Sequence, residues 1–293
     1  MKRRILAGVL GLMMCVLVGL NAFYEDKGGR PVSQESAAPE SLPVGETVPP
    51  EESAPPQPAV QQDFSGLPYV YHAQVPILMY HEVNDAQLNN LYLSVADFQS
   101  HLDYFQEAGI TPITMEQLWN HWVNEAPLPD KPVVLTFDDG YRSMYTTVYP
   151  MLAERGWPGT FYCVSDYTAS GDFISEDMIR EMAAAGMEIG SHTASHVELD
   201  SCAGDALNEQ LTQSRDILSG MSEKPVVQLC YPSGHYNPDT QAAAQAAGYH
   251  CAVTTEYGFA APEQGLFALK RIRISLGNTG ETLRAIFSTL GYG

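Results

Sequence analysis

From Val75 onward, short apolar runs alternate with segments of helical spacing, and helix after helix closes on a glycine. The runs at 75–80 (VPILMY), 133–137, 159–164, 187–190, 226–230, 251–254 and 269–274 read as strands, with a shorter extended piece at 111–114. Helical spacing covers 97–108, 115–123, 144–155, 176–185, 205–219, 238–247 and 280–290, and Gly109, Gly156, Gly186 and Gly248 each follow one of them. Repeated βα units place parallel strands inside and helices outside. Seven to eight such units predict an α/β fold whose sheet closes into a (β/α) barrel. In such barrels chemistry gathers where the C-terminal ends of the strands meet the loops.

Ahead of this domain, assigned to 67–293, lie two segments of different composition. Lys2, Arg3 and Arg4 precede an uncharged run over 5–23, the pattern of an export signal. About 20 apolar residues span a bilayer as a helix, and this run reaches that length. Leu20 is too bulky for a cleavage site ending at Ala22, and Met14 before Cys15 does not suit lipoprotein processing. Residues 1–24 are therefore expected to remain as an N-terminal membrane helix, with secretion after cleavage as the alternative. Positive charges before the span place the rest of the chain on the extracellular face of the membrane. Residues 25–66, rich in Pro, Glu and Ser, carry too little apolar area to offset chain entropy and are expected to form a disordered tether. With 15 Lys+Arg against 35 Asp+Glu, a net charge of −20, there is no basic stripe for a phosphate backbone, which argues against nucleic acid as a partner.

Two motifs carry chemistry. Thr136-Phe137-Asp138-Asp139-Gly140 puts two adjacent carboxylates at the end of an apolar strand, where they repel each other unless a cation intervenes. Taken alone, it is equally an Asp-Asp-Gly turn. Gly190-Ser191-His192-Thr193-Ala194-Ser195-His196 follows another strand, and its histidines at i and i+4 share a face if the segment turns helically. One aspartate and two histidines at strand ends make three ligands with an open fourth position, the pattern of a catalytic metal site.

These motifs, with the Tyr231-Pro232-Ser233-Gly234 segment after a further strand, resemble the polysaccharide deacetylase (NodB-homology) domain of carbohydrate esterase family four. The likeness covers Val75 to the C-terminus. It implies a distorted βα barrel, a divalent metal that is usually zinc, and removal of acetyl groups from a sugar polymer. It makes Asp138 the general base and Asp139, His192 and His196 the metal ligands. It also points to the backbone of the third motif, Tyr231 and Ser233, for the substrate oxyanion; Pro232 has no N–H to offer, and Ser233 is the next donor along.

The chain departs from the usual pattern in three places. Cys230 stands where many members have an arginine aimed at the base, Ser233 stands where an aromatic residue is usual, and no histidine follows Ile274. A permuted branch of the family, seen in exported poly-N-acetylglucosamine deacetylases, opens with a strand like Val75-Pro76-Ile77-Leu78-Met79-Tyr80-His81. If that strand lies beside the last one, His81 supplies the general acid, and Arg271 or Arg273 replaces the missing arginine; alternation puts both arginines on one face and does not choose between them. Loss of catalysis is the other explanation. Tyr141 and Arg142 read as cleft wall or equally as helix entry. His235, Tyr236 and Asn237 form a polar turn that reads first as the loop before the Pro238 helix, with Tyr236 stacking on a sugar ring as the alternative. Trp119 and Trp122 read as packing, and Cys163, Cys202, Cys230 and Cys251 read as disulfides or buried thiols.

The expected activity is metal-dependent removal of N-acetyl groups from an N-acetylglucosamine-containing wall glycan or exopolysaccharide. The alternatives are a hydrolase of the same fold acting on O-acetyl xylan or another C–N substrate, and a non-catalytic carbohydrate-binding module. A spare carboxylate beside a metal site argues against the last.

Overall fold

The computed structural model describes residues 59–292. The expected membrane helix (1–24) and most of the expected tether lie outside the described residues, and among the described ones no helix is long and apolar enough to cross a membrane.

The chain forms β1 (Ile77–Tyr80), a small parallel pair β2 (Glu82–Val83) and β3 (Tyr92–Leu93), α1 (Val95–Ala108), β4 (Thr111–Ile113), α2 (Met115–Asn124) and β5 (Pro132–Phe137). A wide turn at Met144–Val148 then runs into α3 (Tyr149–Ala153), followed by β6 (Thr160–Cys163), α4 (Glu176–Ala184), β7 (Glu188–Ser191), α5 (Gly204–Ser222), β8 (Gln228–Cys230), α6 (Pro238–Ala246), β9 (Cys251–Tyr257), β10 (Leu269–Arg273) and α7 (Gly280–Ser288). The helices begin where the local chemistry allows. Ser94 caps α1 by accepting from the Asp97 amide, and Thr114 with Gln117 and Asn237 with Thr240 form reciprocal caps on α2 and α6.

All strands of the main sheet are parallel, in the order β1-β10-β9-β8-β7-β6-β5, and β1 pairs with β5 to close a barrel of seven strands. The first strand therefore lies beside the last, with Leu78 opposite Ile272 and Met79 opposite Arg273. The distortion is at β5. Its first half pairs with β4, which stays outside the ring, and its last residues Thr136 and Phe137 pair with β6. Alternate residues on each strand turn inward. Ile77, Val134, Tyr162, Cys230, Cys251, Val253 and Leu269 fill the barrel, while Leu78, Tyr80, Leu135, Phe137 and Phe161 face the helices. Trp119 and Trp122 pack against the inner cluster as expected, and all four described cysteines are free.

The expected tether is corrected at its end, because residues 59–66 belong to the fold. Val60 is buried and donates its N–H to Ala185 O at 2.6 Å, and Gln62 Nε2 donates to Pro112 O at 2.9 Å. Gly186, at φ 96°, permits this contact: a Cβ there would stand 2.2 Å from Val60 O. Composition hid the boundary, since one valine and one phenylalanine in a polar run are enough to dock an extended segment whose backbone finds partners.

His101 gives the fold a specific pH dependence. It is fully buried on α1, its Nδ1 accepts from Tyr80 Oη at 3.0 Å, and its Nε2 donates to Asn278 O at 3.0 Å. Burial lowers its pKa from 6.5 to about 4. The unfolded chain therefore binds a proton below pH 6.5 that the folded chain refuses, and stability falls as pH drops through that window. Between pH 7 and pH 5 this group alone removes about 2 kcal/mol. Urea unfolding at both pH values should show that loss, and His101→Gln should flatten it; an unchanged slope in the variant would refute the assignment.

Candidate active site

Four strand ends meet at one mouth. His81 follows β1, Asp138 and Asp139 follow β5, His192 follows β7, and Cys230 ends β8. The backbone stitches them together: the Asp138 amide donates to Tyr80 O at 2.9 Å, and the His192 amide donates to Cys163 O at 2.8 Å.

Asp138 is held by a fork. Arg271, inward-facing on β10 and fully buried, donates Nη1 to Asp138 Oδ1 at 2.8 Å and Nη2 to Oδ2 at 2.7 Å. Its Nε donates to Thr254 O and its Nη1 also to Thr136 Oγ1. Burial by itself would raise the Asp138 carboxyl, but the charge and hydrogen bonds of Arg271 outweigh it and hold the pKa below the usual carboxylate value. The geometry also decides between the two arginines. Arg273 lies on the same face one pleat further on and is exposed.

His81 Nε2 stands 4.0 Å from Asp138 Oδ2, and its Nδ1 is buried with no hydrogen-bond partner among the described residues. Burial lowers its pKa, Asp138 and Asp139 oppose this, and Arg271 and Arg273 add to the lowering, so the ring is neutral at pH 7.

Asp139 faces the other way. Its Oδ1 lies 3.3 Å from His192 Nε2 and 3.3 Å from His196 Nε2. The helical turn envisaged for 192–196 is absent. Thr193 (φ 68°), His196 (φ 59°) and Asp139 itself (φ 80°) all adopt left-handed backbone, and these three kinks make the atoms converge. Thr193 Oγ1 accepts from the His196 amide at 3.0 Å, while Gln210 on α5 exchanges two hydrogen bonds with Ser195. Gln210 was invisible in the sequence, because nothing local links it to the motif.

The donor set fits a divalent metal ion. His192 Nδ1 donates to Cys230 O at 2.8 Å, which leaves the Nε2 lone pair facing a carboxylate oxygen. Two lone-pair nitrogens and an anionic oxygen repel unless a positive charge lies among them. Where no ion neutralises the cluster, a proton does: burial lowers the His192 pKa, yet Cys230 and Asp139 carry it well above its ordinary value, and Asp139, despite its own burial, is held far below the carboxylate range by the two histidines, so a bound ion displaces that proton. Ligands bound at about 2.0–2.1 Å around a tetrahedral zinc lie about 3.3–3.4 Å apart, which matches the separations found.

The third motif is corrected in part. Tyr231 is fully buried, its hydroxyl donates to Phe267 O at 3.1 Å, and its amide donates to Val253 O at 3.2 Å, so it has neither side chain nor N–H to give a substrate. Its inward-or-outward phase was legible from strand alternation; the register that uses up its amide was not. Ser233 is exposed at φ 56°, just beyond Cys230, and among the described residues no acceptor takes its amide. Tyr236 stacks on Tyr231 with centroids 4.9 Å apart, His235 Nδ1 lies 3.2 Å from Asp200 Oδ2, and Tyr141 stacks on Phe173 beside Asp139.

An ionised carboxylate one residue from another that gathers two imidazoles suits hydrolysis of an unactivated acyl bond. The chain belongs to the polysaccharide deacetylase family and is a deacetylase of polysaccharides; the model of the family "Polysaccharide deacetylase" matches residues 125–252. It is 30% identical over 258 residues to "Putative polysaccharide deacetylase YxkH" of Bacillus subtilis, which covers 88% of this chain and 92% of that protein. The Streptococcus pyogenes deacetylase PplD, solved with acetate, superposes with a TM-score of 0.70 at 28% identity, covering 72% of this chain and 97% of that one. The poly-beta-1,6-N-acetyl-D-glucosamine N-deacetylase of Escherichia coli K12 is 31% identical over 134 residues, 40% of this chain and 20% of that protein.

Proposed function

We propose that the protein removes N-acetyl groups from an N-acetylglucosamine-containing glycan outside the membrane, using a divalent metal, most simply zinc, held by Asp139, His192 and His196. The convergence of both Nε2 atoms on Asp139 Oδ1 carries this reading. When bound, such an ion supplies a Lewis acid and a water of lowered pKa. The residues divide the remaining work. Asp138, kept ionised by Arg271, takes the proton of the attacking water. His81 stands next to Asp138 Oδ2 and, neutral at rest, accepts that proton and delivers it to the leaving nitrogen, so the proton lost by water ends on the amine. The Ser233 amide donates to the oxyanion that forms from the acetyl carbonyl. The glycan choice is supported by the E. coli relative and by a Bradyrhizobium chitooligosaccharide deacetylase, 32% identical over 120 residues. The extracellular setting, with the N-terminal helix as membrane anchor, is supported by Lys2, Arg3 and Arg4 before the apolar run.

Acetate release from N-acetylglucosamine oligomers and from peptidoglycan, with and without zinc, tests this directly. Metal-dependent release that disappears in Asp138→Asn is expected. Bound metal without release on either substrate would shift the activity to another acylated substrate, and failure to bind metal would overturn the proposal.

A further inference from the structure

A guanidinium carries five N–H donors, and one that is wholly buried needs an acceptor for each. For Arg271 four acceptors are oxygens: Thr254 O, Thr136 Oγ1 and the two oxygens of Asp138. The fifth is the sulfur of Cys230, 3.2 Å from Nη2. The same sulfur donates its own S–H to Asp138 Oδ2 at 3.5 Å. Nη2, Oδ2 and Sγ therefore form a closed triangle at the corner of the Arg271–Asp138 fork, where Arg271 and Cys230 are wholly buried.

The structure assigns Cys230 as a positioning residue for the deacetylation: its thiol completes the donor set of Arg271 and fixes the plane of the Asp138 carboxylate. The assignment rests on the reading of Asp138 as base. Three properties of a cysteine are used at once. The thiol is both acceptor and donor, so it serves the arginine and the aspartate together. It is uncharged, so it adds no second cation beside the guanidinium. It is short, so it leaves the inward side of β8 free for the long side chain that crosses from β10. A methyl group satisfies only the last two conditions, and a hydroxyl satisfies all three. Cys230 acts on the neighbouring half of the site as well, since its carbonyl orients His192, but that bond belongs to the main chain and survives side-chain replacement.

The test compares Cys230→Ala with Cys230→Ser in acetate release. Cys230→Ala should lower kcat about tenfold with KM within about twofold and bound zinc unchanged, because the fork loosens while the substrate surface and the ligands stay in place. Cys230→Ser should recover kcat to within about threefold of the parent. Infrared spectroscopy adds a readout independent of turnover. The S–H stretching band lost in Cys230→Ser should shift to higher frequency in Asp138→Asn, as its acceptor changes from a carboxylate to an amide. Equal kcat in Cys230→Ala and parent, an equal loss in both Cys230 variants, or a band indifferent to Asp138→Asn would each overturn the assignment. Full turnover by Asp138→Asn would instead overturn the underlying role of Asp138.

Discussion

Replacing Arg271 with Met should lower the free energy of unfolding by about 3–5 kcal/mol, because it leaves the Asp138 carboxylate buried without its cation. The methionine fills much of the same space, so lost packing contributes little and the electrostatic effect is isolated. Turnover should fall at least about a hundredfold at neutral pH for a related reason. With Arg271 removed, burial is the largest influence left on Asp138 and it raises the pKa, so the carboxylate we propose as base is protonated where that role needs it ionised. Residual activity should therefore recover as pH rises, its acid limb displaced upward from that of the parent. Adding Asp138→Asn in the same chain should restore most of the stability and none of the activity, since removing both members of a buried pair costs less than removing one. Denaturant titrations of the two single variants and the double variant check this; a double variant as unstable as the sum of the singles would show that the fork does not act as a unit.

The second large effect is expected at Asp139. Asp139→Asn keeps the side-chain shape, and asparagine tolerates the left-handed backbone that this position requires, so the fold should persist. What disappears is the negative charge on which His192 and His196 converge. Zinc affinity, measured by competition with a chromogenic chelator, should fall at least about a hundredfold, and acetate release should fall to background at limiting zinc. Unchanged zinc affinity would remove Asp139 from the ligand set. His192→Ala should resemble Asp139→Asn more closely than His196→Ala does, because His192 is enclosed and oriented by Cys230 O, whereas a third of the His196 side chain is open to solvent that can supply a substitute ligand.

Much of the site was legible in advance because its parts are local. A carboxylate pair at the end of an apolar strand and two histidines four residues apart are short patterns, and the rule that barrels react at the C-terminal ends of their strands places both at one mouth. His81 was legible for the same reason, once the first strand was expected beside the last. The positions of Cys230 and Arg271 were also visible, but their relationship was not. They are 41 residues apart on β8 and β10 and meet only because both side chains turn into the barrel at one level.

Alternation of apolar and polar residues and helix-ending glycines thus determined the strands, the helices and the closed parallel barrel, and two short motifs marked the carboxylates and histidines that gather at its mouth. These are properties of neighbours along the chain, where backbone sterics and burial act over a few residues. Tertiary structure decided the rest: Arg271 over Arg273, the enclosure of Tyr231, the exclusion of β4 from the ring, the docking of residues 59–66, and the convergence of His192 and His196 through left-handed residues instead of a helix. Each of these depends on where a register begins and on which side chain reaches a shared volume first, and such quantities exist only after the barrel has closed.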